Sequence, residues 1–346
     1  MCFMLFVMIV LGGTTRLTGS GLSIMEWAPV SGTLPPLSHG DWVALFDLYK
    51  KIPQYHLLNP DMTLGGFKQI FWLEWTHRLW GRLMGVVFFV PLVWFAVTRR
   101  IPRRLLPRLV LLFVLGGLQG AVGWFMVASG FMAGSTSVEA WRLVVHLSLA
   151  LVLYGAILWT ALSLWRGAPA PTVEGRATRW LATGAVVLVA LTIVAGGFMA
   201  GTHAGLTYNT FPLMNGRLFP AGYAALAFPR DWFENVTAVQ FDHRLLASLT
   251  ALTTVVLVVV GWRSGPARAR PYLAALGGLV GVQYALGVAT LLLVVPVPVA
   301  AAHQACAVLV LSASLAVLHA VRTAGCATAP ARQDGLERGR PAGARI

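Results

Sequence analysis

The chain has 346 residues, of which 57% are hydrophobic and only 11% charged, and its formal net charge is +14. Soluble domains carry about a quarter charged residues, so this composition excludes a chain solvated by water along its whole length. The positive balance does not mark a nucleic-acid partner, because the basic residues sit in short loops between apolar runs and no soluble domain remains to carry such an interface.

Taken in chain order, apolar runs lie at 1–13, 70–97, 105–127, 141–165, 179–200, 239–262, 272–295 and 299–321. A bilayer core needs about 20 residues of helix. The pattern predicts an all-α polytopic membrane protein of eight transmembrane helices. The first run is short for a span, which suggests that it begins upstream of residue 1. No small-residue cleavage pattern follows it, so no removable signal is expected.

Basic clusters at Arg99, Arg100, Arg103, Arg104 and Arg108, at Arg166, Arg176 and Arg179, and at Arg263, Arg268 and Arg270 each follow an even-numbered span. By the positive-inside rule these loops and both termini belong in the cytoplasm, with the protein in a bacterial inner membrane. The loops 14–69, 128–140 and 201–238 carry Glu26, Asp41, Asp47, Asp61, Glu139, Asp231 and Glu234 beside few basic residues, and face outward. The tail 322–346 is rich in Arg, Gly, Pro and Ala without apolar periodicity, and reads as disordered and cytoplasmic. Cys2, Cys306 and Cys326 form no CxxC and no disulfide framework.

An internal repeat organises the spans. Val10-Leu-Gly-Gly-Thr-Thr-Arg-Leu-Thr-Gly-Ser-Gly-Leu-Ser23 matches Val194-Ala-Gly-Gly-Phe-Met-Ala-Gly-Thr-His-Ala-Gly-Leu-Thr207 without gaps, at an offset of 184. Gly32 and Pro36 answer Gly216 and Pro220. Span two carries Glu74-Trp-Thr-His-Arg78 and span six Gln240-Phe-Asp-His-Arg244; spans three and seven share Gln119/Gly123 and Gln283/Gly287. Spans four and eight bear His146 and His303 near their outer ends. Four spans per repeat keep both halves in one orientation, so the expectation is two parallel-repeat four-helix bundles, 1–165 and 179–321.

An ionisable side chain within a span is costly and marks function. His77 and His146 lie on separate inward-running helices at similar expected depth, and His243 and His303 repeat the arrangement. Paired imidazoles at equal depth suit the two axial positions of a haem iron, and the repeat then implies two haem sites. A hydrogen-bonding role between helices is the alternative for any one of them; a zinc site lacks the Cys or carboxylate partners for a tetrahedral shell. His39 and His56 lie in the first outer loop, His203 at the outer end of span five and His319 near the inner end of span eight; none has a repeat partner, and His203, which faces Gly19 in the alignment, reads as loop or rim structure.

Glu74 breaks the symmetry. It precedes His77 by three residues, on the same helical face and about 4.5 Å outward. Its counterpart is Gln240, which cannot exchange a proton, and Asp242 points about 100° away from His243. Pairing with Arg78 at i+4 is the structural alternative for Glu74. Arg16, Arg78, Arg82 and Arg244 are candidates for haem propionates, and interface anchoring explains them as well. The glycine pairs at 12–13, 116–117, 196–197 and 277–278 read as close helix packing, and Gln119 and Gln283 as interhelical hydrogen bonds.

Residues 11–23, the segment Phe-Trp-Leu-Glu-Trp-Thr-His-Arg at 71–78, and the segments 240–244 and 303–304 resemble the haem A synthase family. Leu-Tyr-Lys-Lys-Ile-Pro-Gln-Tyr at 48–55 is similar to the proteobacterial and mitochondrial form. The resemblance implies oxidation of the C8 methyl of haem O to a formyl group through an alcohol, giving haem A for terminal oxidases. It also implies haem b as resident cofactor on His243 and His303, haem O as substrate on His77 and His146, and Glu74 as the functional carboxylate. Implied partners are the lipid membrane, haem O synthase, terminal oxidase assembly factors, an electron donor and a second copy of the chain. Some members carry a cysteine pair in the first outer loop; this chain has none there. A two-haem electron carrier and a parallel-repeat transporter are the competing classes. The first has no use for a one-sided carboxylate, and the second none for haem.

Overall fold

The computed structural model describes residues 1–167 and 176–322. The remainder of the expected tail, with Cys326, lies outside the described residues. The helices are α1 Cys2–Leu17, α2 His39–Tyr49, α3 Pro53–Leu58, α4 Leu64–Val97, α5 Leu106–Ala128, α6 Ala140–Arg166, α7 Arg176–Gly201, α8 Asp231–Glu234, α9 Val236–Ser264, α10 Arg270–Leu292 and α11 Val297–Arg322. Among the described residues there is no strand, only one isolated bridge between Met214 and Arg217.

Seven helices (α4, α5, α6, α7, α9, α10 and α11) are long and apolar enough to cross a bilayer, and α1 is a shorter apolar helix of 16 residues. This is a multi-pass membrane protein. The spans begin and end where local chemistry dictates. Thr63 caps α4 by accepting from Gly66 N at 3.2 Å, and the Asn235 side chain caps α9 through Thr237 N at 3.0 Å. Proline stands in the first turn of α5 and of α10, where its missing N–H is not needed. The run expected to reach 295 stops at Leu292 because Pro296 disfavours helical backbone at the residue before it; Val294 and Val295 take positive φ there.

Helix neighbours define the frame of the site. α1 and α5 each pack on both α4 and α6, so α4 and α6 stand on a diagonal. α7 and α10 each pack on both α9 and α11, so α9 and α11 stand on another. The two groups meet where α6 touches α7 and where α11 touches α1 and α6. At that seam Leu5, Ile9, Leu151, Tyr154, Val308 and Leu311 are buried in one cluster. Lipid tails are as apolar as leucine, so the seam is held by close packing and by polar bonds across it. Tyr154 and Ser312 hydroxyls meet at 2.7 Å, and Gln304 Nε2 donates to Ile9 O at 2.7 Å. The Gln304 amide lies over Gly13, where any side chain would overlap it.

The segment between α1 and α4 is more ordered than its polar sequence suggests. It folds into α2 and α3, and α4 starts six residues before the expected 70 and reaches out to meet them. Ser38 and Asp41 form a capping box on α2. Trp42, Phe46, Tyr49 and Ile52 then bury against Phe67 and Phe71 of α4.

Candidate haem sites

On the diagonal helices His77, His146, His243 and His303 each face a glycine on a neighbouring helix. A Cβ on Gly12 would lie 3.1 Å from His77 Nε2, and one on Gly196 3.1 Å from His243 Cε1. A Cβ on Gly123 would lie 2.9 Å from His146 Cε1, and one on Gly287 2.9 Å from His303 Cε1. These glycines occupy corresponding positions of the aligned segments. His77 and His146 stand on the two helices of one diagonal, and His243 and His303 on the two helices of the other. The Nδ1 atoms of His146, His243 and His303 are buried without a hydrogen bond.

Depth along the helices is less uniform than expected. His146 and His303 each follow the first residue of their helix by six positions and His243 by seven, but His77 lies thirteen residues after Leu64. The excess belongs to the N-terminal extension of α4 toward α2.

Glu74 is buried, with 2% of its surface exposed. Its Oε2 accepts from Ser23 Oγ at 2.6 Å and from Ile24 N at 2.9 Å, and its Oε1 from Arg78 Nη2 at 2.6 Å. The Arg78 pairing that stands as the structural alternative is therefore present within α4, and the bonds from Ser23 and Ile24 tie Glu74 to the segment after α1. Arg78 also donates to the carbonyls of Ile24 (2.6 Å) and Glu26 (2.8 Å). The second half mirrors this. Arg244 donates to the carbonyls of Tyr208 (2.8 Å) and Thr210 (3.0 Å), and Gln240 Nε2 donates to Tyr208 O at 3.0 Å. Where the first half has a carboxylate receiving a main-chain N–H, the second has an amide giving one to a main-chain carbonyl.

The other arginines divide by what they already hold. Arg82 donates to Ala28 O at 2.7 Å and Pro29 O at 2.9 Å. Buried N–H groups without a partner remain at Arg16 Nη2, Arg82 Nη1 and Arg244 Nε, whereas Arg78 has none. His203 lies beyond the end of α7; burial, then nearby Arg16, lowers its pKa and keeps it neutral, as suits a rim residue.

Close packing, the role expected of all the glycine pairs, holds for only some of these residues. Gly13 and Gly197 serve the seam, the latter against Val144 and Leu147. Gly12 and Gly196 serve the histidines, whereas a Cβ on Gly116, Gly117 or Gly278 would meet nothing within 4 Å. Gln119 bonds across helices as expected, donating through Nε2 to His146 O at 2.9 Å, with His146 Nε2 at 3.5 Å.

The COX15-CtaA family model, described as cytochrome oxidase assembly protein, matches residues 1–315. A protein of Granulibacter bethesdensis named haem A synthase is 60% identical over 94% of this chain and 86% of its own length. Haem A synthase 2 of Acidiphilium cryptum is 49% identical over 90% of this chain and 88% of its own, and haem A synthase of Parvibaculum lavamentivorans 46% over 93% and 91%. With the match running through every element that frames the histidines, the chain belongs to the COX15-CtaA family of cytochrome oxidase assembly proteins.

Proposed function

We propose that this chain is a haem A synthase that oxidises the C8 methyl of haem O to a formyl group through an alcohol, supplying haem A to terminal oxidases. The observation that carries the assignment is the one-sided carboxylate: two similar histidine sites, with Glu74 beside His77 and Gln240 beside His243. The names of relatives up to 60% identical support it.

The architecture that serves this reading is eight spans, with α1 as the first, arranged as two parallel four-helix halves, 1–165 and 179–321. Both termini face the cytoplasm of the inner membrane, and the histidines open toward the outer side. The donor set fits haem: paired imidazoles on diagonal helices, buried ring nitrogens without partners, and a missing Cβ opposite each ring. His243 and His303 would hold haem b, which when bound supplies one-electron redox chemistry near the substrate half. His77 and His146 hold the substrate haem. Arg16, Arg82 and Arg244 retain N–H groups for propionates, while Arg78 is committed to Glu74 and the loop carbonyls.

Oxidising a methyl group removes protons as well as electrons, and a buried carboxylate at the ligand's helix can take or relay them. Ser23 and Ile24 hold Glu74 in place for that task, and Arg78 balances its charge. An electron donor, haem O synthase and oxidase assembly factors are the partners this reading calls for, and a homo-oligomer is compatible with it.

The test is extraction of total haem from cells that make haem O but no haem A, with and without this chain. Haem A appearing only with the chain is the expected result. Haem B alone on the purified protein, with no conversion, would favour the electron carrier.

A further inference from the structure

On the side where α9 meets α10, a closed circuit of contacts stands beside the second pair of histidines. Arg244, next to His243, donates to Thr210 O at 3.0 Å. The following residue, Phe211, sets its ring edge-on against Tyr284 of α10, with centroids 6.2 Å apart. Tyr284 Oη lies 3.1 Å from Ser248 Oγ of α9, and Ser248 Oγ is 2.9 Å from Arg244 O. A serine hydroxyl has one hydrogen to give. Ser248 gives it to Arg244 O, so Tyr284 is the donor across the helices. Ser248 follows His243 by five residues and Tyr284 precedes Gly287 by three, which puts the bond roughly 5–8 Å along the helices from the imidazoles.

The first half keeps this frame and omits the bridge. Arg78, next to His77, donates to Glu26 O at 2.8 Å, and the following residue, Trp27, matches Phe211 at the repeat offset of 184. Its ring stacks on Trp124 of α5 at 6.2 Å. Counted from the matched Gln119 and Gln283, Tyr284 falls where α5 has Gly120, one helical turn from Trp124. Counted from the matched His77 and His243, Ser248 falls where α4 has Arg82, which turns back to the carbonyls of Ala28 and Pro29. Gly120 has no side chain to send to α4, and a Cβ there would meet nothing within 4 Å. The same holds for Gly85 on α4 and for Gly116 on α5. Open space stands where the second half has a phenol.

In hydrocarbon no water competes for a bond between helices, and parting the helices has to break it. We infer that Tyr284, donating to Ser248 and braced by Phe211, latches α9 to α10 so that the second half retains its haem, and that Gly120 leaves the α4–α5 side unlatched for a substrate haem to enter and a product haem to leave. The inference rests on the bis-histidine reading proposed above. It adds Tyr284, Ser248 and Phe211 as positioning residues that act through the helices rather than on the iron.

The experiment uses the purified full chain in detergent, with excess apomyoglobin as the haem acceptor. Transfer of haem B is timed by absorbance for the parent, Tyr284→Gly, Tyr284→Phe and Val282→Gly. Val282 is an exposed residue of the same helix, so its glycine variant carries a similar helix penalty away from the Ser248 bond. Tyr284→Gly is expected to release haem B about 10-fold faster than the parent and Tyr284→Phe about 3-fold faster, with Val282→Gly at the parent rate. Release from Tyr284→Gly no faster than from Val282→Gly would overturn the latch. Should Tyr284→Gly fail to accumulate, Tyr284→Phe is judged against the parent in the same way. The reverse change, Gly120→Tyr, is expected to keep haem B and to lower haem A formation about 10-fold in cells supplying haem O; parent-level haem A would overturn the unlatched first half. His303→Ala separates the two levels: haem B held as firmly after that change would remove the ligand reading and the latch with it, whereas parent-like release from Tyr284→Gly removes the latch alone.

Discussion

Glu74 and Gln240 stand at corresponding places, three residues before a histidine, and differ by one oxygen for one nitrogen. That difference decides which half can exchange a proton. Glu74→Gln preserves the side-chain shape and still accepts from Ser23 or Ile24, but weakens the tie to Arg78 and removes proton acceptance. Haem A formation is expected to fall by about 10²-fold or more, with haem B retained and the alcohol form of the substrate accumulating. Separation of haems B, O and A extracted from cells supplying haem O checks this; near-normal haem A would leave Glu74 as a tether for the segment after α1. Histidines and a carboxylate were legible in the sequence because an ionisable group is conspicuous among apolar neighbours. The glycine seats were not, because a missing Cβ acts only through what stands opposite it. The partnering of Arg78 and Arg244 with loop carbonyls was hidden for the same reason: the 24–26 and 208–210 carbonyls have no sequence signature.

At the scale of elements, the spans were readable to within a few residues because hydropathy reports them directly. The exceptions have local causes: Thr63 starts α4 early, and Pro296 ends the run after α10. The short helices α2 and α3 escaped, although Ser38 and Asp41, followed by Trp42, Phe46 and Tyr49 at i, i+4 and i+7, were the signal for α2. The Trp42 ring meets Phe71 at 4.9 Å and Trp72 at 5.6 Å. Trp42→Ala should cost about 3–5 kcal/mol in this water-side cluster and expose the 31–63 segment to protease, while haem b in the second half survives. Equal protease resistance in the variant and the parent would mean that the cluster does not hold the loop. The Asp41 carboxyl is held below its ordinary pKa, chiefly by Ser38 main-chain and side-chain bonds. A depressed carboxylate stabilises above its unfolded pKa and loses that effect as pH falls through the folded value. Amide exchange in the first turn of α2 should therefore quicken, relative to its intrinsic rate, only when pH drops into and below the carboxylate range.

For the whole molecule, the internal sequence repeat pointed to four histidines in two pairs, but the way α1 and α11 join the two groups of helices was not legible. Gly12 faces His77 while Gly13, the next residue, receives Gln304, itself next to His303. One turn of α1 thus touches a histidine of one pair and the neighbour of a histidine of the other. Gly13→Leu should displace Gln304, break its bond to Ile9 O and lower stability by about 1–3 kcal/mol, read as a lower detergent melting temperature; an unchanged melting temperature would show that the seam does not depend on this contact. Reporter fusions in 99–104 and 263–270 should read as cytoplasmic and fusions in 40–60 and 215–230 as external, and a cytoplasmic 40–60 would invert the orientation of every site. What sets the proposed function apart is a division of labour between two similar haem sites. It is tested most directly by the haem inventory of purified His243→Ala and His77→Ala, produced side by side with a haem O supply. His243→Ala is expected to lose resident haem B, while His77→Ala keeps haem B and yields no haem A. Loss of haem B from His77→Ala with its retention in His243→Ala would contradict it.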